Sequence, residues 1–255
     1  MLKYLKTRIE QKYRTIAYPD GPPPELPDRF AGRPHIIKEK CMKDCSLCIS
    51  ACPVNAIRIN PESGGTVIDT GRCIFCLDCV KACPSDIIHF TREYSLAASS
   101  PDDLLVEAGS TCQRPAGNKI AAKLFKKSLK LRQVSAGGCN ACEADTNVLS
   151  TLAWDIGRFG IQFVASPRHA DGLLITGPVT ENMRLALLKT YDAVPDPKVV
   201  IAVGACAISG GIYSDHPEQH NGAKDIVPVD LFVPGCPPHP LTILDGLLRF
   251  IERVK

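Results

Sequence analysis

Hydrophobic and polar positions follow two periods along the C-terminal half of the chain. Short apolar runs rich in β-branched residues predict buried strands, and apolar positions at helical spacing predict helices between or after them. The predicted strands cover 130–134, 162–165, 172–176, 198–203 and 229–233. The predicted helices cover 145–156, 181–191 and 241–254. This alternation predicts an α/β fold for residues 130–255, with a flavodoxin-like, doubly wound parallel sheet.

Residues 2–16 predict an amphipathic helix, because apolar side chains share one stripe while most Lys and Arg side chains lie elsewhere. The stripe consists of Leu2, Leu5, Ile9, Tyr13 and Ile16. A proline-rich stretch at 18–24 ends the pattern and predicts a tether. Packing of the helix on its own domain is one interpretation. We favour docking onto another subunit or the membrane surface, because a helix followed by a tether has few neighbours of its own.

Residues 93–129 predict a linker between two larger units. A short strand is expected at 94–98 and a turn at 99–103. Residues 119–129 predict a helix surrounded by lysines. Two interpretations stay open for this basic helix: a solvated surface, or a contact to an acidic subunit or to anionic lipid headgroups.

Composition narrows the classes of protein. The 255 residues, 45% of them hydrophobic, suffice for one moderate and one small domain. A net charge of +3 is too small to indicate nucleic-acid binding. No run approaches the ~18 apolar residues of a membrane span. The N-terminus has neither the apolar region of a signal peptide nor a twin arginine, so we expect a reducing cytoplasm. No strand is followed by a phosphate-binding glycine motif, so nucleotide and flavin are unsupported.

Cysteine usage dominates the chemistry. The chain has 13 cysteines, and most of them stand in C-x2-C or C-x3-C clusters, which favours metal binding over disulfides. Cys112 has no partner motif, and we predict a free thiol there. We expect four loop histidines to be solvated rather than functional: His169, His216, His220 and His239.

The strongest motif is a pair of cysteine runs, Cys41-x3-Cys45-x2-Cys48-x3-Cys52-Pro and Cys73-x2-Cys76-x2-Cys79-x3-Cys83-Pro. This is the two-cluster ferredoxin pattern, in which the fourth cysteine of each run serves the other cluster. One cluster is thus expected on Cys41, Cys45, Cys48 and Cys83, and the other on Cys73, Cys76, Cys79 and Cys52. The first gap has three residues instead of the usual two, and we expect a loop bulge to absorb the extra residue.

Four further cysteines follow predicted strands. Cys139 and Cys142 lie in a glycine loop, and Cys206 and Cys236 lie in two more glycine-containing turns. Because the carboxyl ends of parallel strands meet at one sheet edge, we expect the four thiols to converge. Taken alone, such a set fits a [4Fe-4S] cluster, a structural zinc or buried thiols. The ferredoxin runs upstream favour iron and sulfur.

Together these motifs resemble a known family. The segments 137–143, 166–171, 204–206 and 234–238 resemble the small subunit of membrane-bound, energy-converting (group 4) [NiFe] hydrogenases, which is homologous to the terminal-cluster subunit of respiratory complex I. This resemblance covers about residues 118–255. Residues 1–115 resemble the two-cluster polyferredoxin subunit of formate hydrogenlyase, so the chain resembles a fusion of two neighbouring subunits. Complex I subunits carry adjacent cysteines at the first pair, whereas hydrogenases carry the C-x2-C seen at Cys139 and Cys142.

Four segments are expected on this basis. They are a docking helix and tether at 1–35, a two-cluster ferredoxin domain at 36–92, a linker with a basic helix at 93–129, and the hydrogenase small-subunit or complex I-like domain at 130–255.

The resemblance implies electron transfer through three [4Fe-4S] clusters, the third held by Cys139, Cys142, Cys206 and Cys236. A separate [NiFe] large subunit is expected to reduce protons to hydrogen, because this chain has no nickel ligands and is not catalytic alone. The implied donor is a formate or CO dehydrogenase-like subunit or a ferredoxin. Membrane-arm subunits are further implied partners, and the implied location is peripheral, on the inner face of the cytoplasmic membrane.

Alternatives remain for the function and for one carboxylate. The large subunit of the complex could lack a [NiFe] centre, as in a complex I-like oxidoreductase that reduces a quinone or another acceptor. A soluble polyferredoxin is disfavoured, because it needs no second domain. The resemblance implies a proton relay for Glu143. Its position indicates a different role, in which Glu143 and Asp145 place negative charge at the N-terminus of the following helix.

Overall fold

The computed structural model describes residues 2–37, 41–42, 45–111, 115 and 123–254. Cys112, part of the first-run insertion at 43–44, and residues 119–122 of the predicted basic helix lie outside these ranges. Within the described residues, no helix combines the length and the apolar character that a membrane crossing requires.

The C-terminal domain is built on a five-stranded parallel sheet. Its strands are β6 (Leu129–Ser135), β7 (Ile161–Phe163), β8 (Gly172–Thr176), β9 (Val199–Val203) and β10 (Leu231–Val233). The spatial order is β10-β9-β8-β6-β7. Counted within the domain, this is the 2-1-3-4-5 order of flavodoxin-like sheets. The predicted fold class is therefore confirmed, with all five strands at the expected places.

Alternate residues of the central strands supply two separate apolar cores. Leu174 and Ile201 point to one face, where helix α7 (Pro240–Phe250) is buried along its whole length. Leu173 and Val200 point to the other face, together with Leu187 of helix α5 (Glu181–Ala193). Helices thus cover both faces of the sheet, and the near-continuous apolar runs of β8 and β9 follow from burial on both sides.

The helix bounds correct several expectations. Helix α4 (Ala141–Val148) begins four residues before the predicted 145, because Asn140 turns the chain with a φ of 70°. It ends at Val148, and residues 149–155 form turns, so the predicted extension to 156 is wrong. A short helix α6 (Ala205–Ser209), not predicted, carries Cys206. The last helix ends at Phe250 rather than 254.

The ferredoxin-like unit consists of short antiparallel pairs around two short helices. Its elements are β1 (Pro34–Ile36), α2 (Leu47–Ser50), β2 (Ile57–Ile59), β3 (Thr66–Asp69), α3 (Asp78–Lys81), β4 (Ile88–Phe90) and β5 (Leu105–Glu107). Strand β1 pairs with β4, and the other three form a sheet in the order β2-β3-β5, so residues 105–107 of the predicted linker belong to this sheet. Ala51 and Ala82 directly follow helices α2 and α3, and they share the same backbone angles, φ −79° and ψ −12°. The two cysteine runs are therefore structural repeats.

The N-terminal segment divides into an exposed helix and a packed tether. Helix α1 (Leu2–Gln11) is exposed along its whole length, which contradicts packing on its own domain. The predicted extension to residue 16 is wrong, since Lys12 adopts a φ of 53° and Ile16 packs against the C-terminal core. The Ile16 amide donates to the carbonyl of Ala153 at 2.8 Å, and Arg158 donates to the carbonyls of Ile16 and Tyr18 at 2.8 and 2.6 Å. The tether is therefore fixed on the C-terminal domain.

The linker is also attached to the C-terminal domain. Of the predicted strand 94–98, Ala98 alone pairs, in an isolated antiparallel bridge with Phe232 of β10. Residues 123–125 are helical. The predicted helix end at 129 is wrong, because Leu129 is fully buried as the first residue of β6.

A buried carboxylate joins the tether, the linker and the C-terminal domain. Asp245 of α7 accepts hydrogen bonds from Tyr18 of the tether and, at 2.6 Å, from Ser95 of the linker. Arg249 lies one turn further along α7 and donates to both carboxylate oxygens, at 3.0 and 2.9 Å. Burial is the main cause that raises the pKa of Tyr18, and the hydrogen bond to Asp245 raises it further. The phenol therefore stays a donor to Asp245.

Candidate iron–sulfur sites

The first three cysteines of run one meet the last cysteine of run two. Burial raises the pKa of the Cys48 thiol, and the neighbouring thiols of Cys83, Cys41 and Cys45 raise it further. Burial likewise raises the pKa of Cys41, with additional effects from Cys45 and Cys83. These four thiols, here called set one, thus share one environment.

Set two contains Cys52, Cys73, Cys76 and Cys79. Burial raises the pKa of Cys73 to about 12, with additional effects from the other three thiols. Burial also raises the pKa of Cys79 to about 11, and Cys52 is the thiol that raises it most. Cys52 therefore lies with the second run, as Cys83 lies with the first.

Backbone amides point at the sulfurs of both sets. The amide of Ala56 donates to Cys52 Sγ at 3.2 Å, and the amide of Ile87 donates to Cys83 Sγ at 3.4 Å. Phe75 donates its amide to Cys73 Sγ at 3.3 Å. Such donors stabilise thiolate sulfurs and tune the clusters that they hold.

Set three lies at the carboxyl edge of the parallel sheet, as the strand order predicts. Cys139 and Cys142 follow β6, Cys206 follows β9, and Cys236 follows β10. Burial raises the pKa of Cys206 to about 11, with additional effects from Cys236 and Cys139. Burial is also the main cause of the raised pKa of Cys142, followed by Cys206 and Cys236. The structure therefore brings all four thiols together.

Glycine at position 204 permits this close approach. Gly204 has a φ of +91°, and a Cβ atom placed on it would lie 2.5 Å from Cys142 Sγ. A side chain at this position is excluded both by the backbone conformation and by the sulfur.

The donor sets fit iron–sulfur clusters better than single ions. Each set consists of cysteines alone, the ligands of [4Fe-4S] clusters. Among the residues that the structure describes, no three His, Cys, Asp or Glu side chains are arranged to hold one metal ion. A zinc ion, with Zn–S bonds of about 2.3 Å, needs such a compact group. The ferredoxin spacing of the two runs therefore favours iron–sulfur clusters.

Comparison with known proteins places both halves of the chain. Residues 139–250 match the family model of the NADH ubiquinone oxidoreductase 20 Kd subunit, and residues 40–87 match the 4Fe-4S dicluster domain. The probable membrane-bound hydrogenase subunit mbhJ of Pyrococcus furiosus is 42% identical over 132 residues, which cover 52% of this chain and 79% of that relative. The chain belongs to the NADH ubiquinone oxidoreductase 20 Kd subunit family.

Other members of this family come from two kinds of complex. Formate hydrogenlyase subunit 7 of Escherichia coli is 47% identical over 124 residues, 49% of this chain and 49% of that relative. An NADH-quinone oxidoreductase subunit of Clostridium beijerinckii is 42% identical over 118 residues, 46% of this chain and 70% of that relative. The chain thus spans about half the length of the Escherichia coli relative. It is a subunit type that carries iron–sulfur clusters in oxidoreductase complexes.

Glu143 lies next to set three and accepts two hydrogen bonds that the sequence did not predict. The Ser135 hydroxyl donates to Glu143 Oε1 at 2.5 Å, and the Thr176 hydroxyl donates to the same oxygen at 2.7 Å. These two residues end β6 and β8, so the sheet edge itself positions the carboxylate. Glu143 is buried and also stands in the first turn of α4, which keeps both of its predicted roles open. The sequence signal that could have predicted these hydrogen bonds is the polar residue at the end of each of these two adjacent strands.

A cavity of about 550 Å³ is lined by residues of the second run and of the loop that carries Cys236. Ile74 and Phe75 of the second run line one wall, and Cys236 with the following prolines lines another. Thr242 also lines the cavity, and among the described side chains its hydroxyl is one of two buried groups without a hydrogen-bond partner.

The predicted solvation of the loop histidines is only partly correct. His169 and His216 are exposed. The Nε2 atom of His220 lies 2.5 Å from Oε2 of Glu181. His239 is half-buried between Phe30 and Trp154, and burial lowers its pKa. Its Nδ1 accepts the Leu241 amide at 3.2 Å and caps α7, so the role of His239 is structural.

Proposed function

We propose that this chain is the electron-transfer subunit of a membrane-associated [NiFe] hydrogenase complex of the formate hydrogenlyase type. It carries three [4Fe-4S] clusters, on sets one, two and three. Electrons pass through them to a separate large subunit, where protons are reduced to hydrogen. The chain itself supplies no part of the nickel site.

The observation that carries the proposal is set three. Its first pair has the C-x2-C spacing, and its four thiols converge at the carboxyl edge of the sheet. A membrane-bound hydrogenase subunit and a formate hydrogenlyase subunit are 42% and 47% identical over this half of the chain. The matched range 139–250 contains all four cysteines.

The residues of this chain would bind the clusters and stabilise their charge. When bound, a [4Fe-4S] cluster supplies reversible one-electron chemistry. The thiols must lose their protons to bind iron, and their raised pKa values mean that binding releases protons at neutral pH. The backbone amides at the cysteine loops then offset the negative charge of the bound sulfurs.

Glu143 is proposed as a proton relay at the interface with the large subunit. Its carboxylate is buried next to Cys142 and Cys206, and the hydroxyls of Ser135 and Thr176 hold one of its oxygens. Hydroxyl groups both donate and accept, so a carboxyl group between them can exchange a proton without moving.

A complex I-like oxidoreductase without a [NiFe] centre is the second candidate, with a quinone or another acceptor reduced by the large subunit. The observation that favours it is the NADH-quinone oxidoreductase relative from Clostridium beijerinckii, which is as similar, at 42% identity, as the mbhJ relative. The C-x2-C pair supports the hydrogenase candidate instead.

The proposed partners follow from this role. They are the [NiFe] large subunit, a donor such as a formate or CO dehydrogenase-like subunit or a ferredoxin, and membrane-arm subunits. Neither nucleotide nor nucleic acid is among the proposed partners. Through these subunits the chain is placed on the inner face of the cytoplasmic membrane, with the exposed helix α1 as a docking element.

Metal analysis of the complex, purified without oxygen, tests the proposal. Three clusters correspond to about 12 Fe per chain. Nickel in the large subunit and hydrogen evolution from a reduced donor are expected as well. Stoichiometric zinc with about eight Fe would contradict the assignment of set three. Full iron content without nickel or hydrogen evolution would favour the second candidate.

A further inference from the structure

The residues that lead into the second cysteine run contact the C-terminal domain close to cysteines of set two and of set three. The Ser209 hydroxyl lies 3.0 Å from the carbonyl oxygen of Gly71 and 3.0 Å from that of Ala205 in its own helix, and it shares its proton between these two acceptors. Gly71 stands two residues before Cys73 of set two, and Ser209 stands three residues after Cys206 of set three. We call the contact of Gly71 with Ile208 and Ser209 the seam.

Gly71 fits the seam because it has no side chain. A Cβ atom at this position would lie 2.8 Å from Leu104 Cδ1 and 2.9 Å from Ile208 Cγ2, closer than real Cβ atoms approach their neighbours. The backbone of Gly71 does not have the positive φ that strains other residues, so steric contact with side chains, rather than backbone conformation, is what an added Cβ atom would meet here. An added methyl group must push the second run away from α6 or displace side chains of the seam.

The seam is apolar around this single hydrogen bond. Leu104 and Ala98 of the linker pack in one buried cluster with Ala207, Ile208 and Phe232 of the C-terminal domain. Ala98 and Phe232 also exchange two backbone hydrogen bonds, at 2.9 and 2.8 Å. Close packing of this kind resists small displacements, because interiors have few voids to absorb them.

Set one lies on a different surface of the ferredoxin-like unit. The cavity beside Cys41 and Cys45 is lined by residues between Ile36 and Ile87, all of that unit. In contrast, Ile74 and Phe75 of the second run share a cavity with Cys236 of set three. The second run therefore faces set three along both the seam and this cavity.

We infer that Gly71 and Ser209 are positioning residues that set the separation of the set-two and set-three clusters. The inference rests on the proposed function of the chain. In the step concerned, one electron leaves the set-two cluster, which is oxidised, and enters the set-three cluster, which is reduced. No bond is made or broken. The rate of such a step falls steeply with distance, so a small shift of the second run slows it.

The test uses Gly71→Ala in the assembled complex. The expected result is a weaker magnetic interaction between the two reduced clusters in EPR spectra, and a several-fold slower reduction of set three after rapid photoreduction of the ferredoxin-like unit. Hydrogen exchange at the amides of Ala98 and Phe232 should become faster. Gly157→Ala is the matched control, because a Cβ atom there meets only Asp155 Oδ1, at 3.7 Å. It should leave all three signals unchanged.

A second pair of variants addresses the hydrogen bond itself. Ser209→Ala should weaken the same magnetic interaction, and Ser209→Thr, which keeps the hydroxyl, should restore it. The control Thr190→Val removes a hydroxyl that donates to the carbonyl of Ala186 within α5, away from the seam. It should have no effect on the interaction.

Unchanged magnetic interaction and rate in both Gly71→Ala and Ser209→Ala, with all iron retained, would overturn the inference. If Gly71→Ala loses a cluster, Ser209→Ala decides alone. Failure of the proposed function has a different signature: the unmodified complex would then contain no set-three signal, or would contain it without hydrogen evolution.

Discussion

The ferredoxin-like unit and the C-terminal domain both bring cysteine thiols together, but the thiols have different positions relative to the cores. In the ferredoxin-like unit, Cys48 and Cys79 belong to the apolar core, where they pack among isoleucines. In the C-terminal domain, the main core is complete without cysteine, and Cys142 touches only its margin. In the ferredoxin-like unit the cysteines are therefore part of the core, whereas in the C-terminal domain they lie outside a core formed by other residues.

The two regions are therefore expected to depend on bound metal to different extents. A small unit with short strands buries too little apolar surface to be stable alone, and a metal commonly supplies the deficit. Binding free energy is then folding free energy. A five-stranded sheet with helices on both faces has its own core, so its cluster adds function more than stability.

Iron removal gives the largest expected contrast. Anaerobic chelation should unfold the ferredoxin-like unit, because four buried or half-buried cysteines of its core would lose the iron that they bind. The strands β6, β8 and β9 should remain protected. Hydrogen exchange measured before and after chelation checks this outcome. Equal loss of protection in both regions would show that the C-terminal domain also folds around its cluster.

Exchange of one crossing cysteine gives the next largest effect. Cys52→Ser should remove the cluster of Cys73, Cys76 and Cys79, because Cys52 lies with these thiols, and about four Fe should be lost. Cys83→Ser should instead remove the set-one cluster. EPR spectra of the two variants, with the set-three signal as internal control, distinguish them. The reverse assignment would mean that each run binds its own cluster.

The buried carboxylate of the C-terminal core is expected to matter for stability rather than for iron. Asp245→Ala removes the acceptor of Tyr18, Ser95 and Arg249, and breaking a buried ion pair costs about 3–5 kcal/mol. Native-state hydrogen exchange on β6 and β9 measures the free energy of opening. The exposed Asp192→Asn on α5 is the control. Unchanged opening free energy would contradict a structural role for Asp245.

The buried carboxylate of Glu143, next to set three, is expected to matter for activity rather than for stability. Glu143→Gln keeps the acceptor for Ser135 and Thr176 but cannot carry a proton. Hydrogen evolution should fall by about tenfold or more, towards the ~10²–10⁴-fold contribution of positioned acid–base groups. All three clusters should stay visible by EPR.

The exposed Glu62→Gln in the ferredoxin-like unit is the control for that variant. Full activity of Glu143→Gln would return Glu143 to the helix N-terminus role. Loss of the set-three signal would show that its role is structural.

The smallest effect is expected at an exposed position of the first run. Leu47 is 51% exposed, so Leu47→Gln should change the opening free energy of the ferredoxin-like unit by no more than about 0.5 kcal/mol. Hydrogen exchange on β2 and β3 measures it. A larger loss would indicate that this leucine packs more tightly in solution than in the structure.

Much of the fold was predictable because its signals are local. Apolar runs marked the five strands, and the Cys-Pro ends of the two runs marked a repeat whose halves share backbone angles. Helix ends were less predictable. Asn140 starts α4 early with a positive φ, which Asn adopts more readily than most residues, and Lys12 ends α1 early in the same conformation, which a lysine does not signal.

The spacing of the cysteines, by itself, determined the expected composition of the three thiol sets and the edge of the sheet where the third one lies. Those features depend on short motifs and on chain order. Three contacts depend on the packing of the whole fold: Ser135 and Thr176 with Glu143, Asp245 with the tether and the linker, and Gly71 with Ser209. Each of these contacts joins separate elements of the fold, and the Asp245 and Gly71 contacts join residues more than a hundred positions apart. Their geometry depends on how whole elements pack, which no local pattern of side chains specifies.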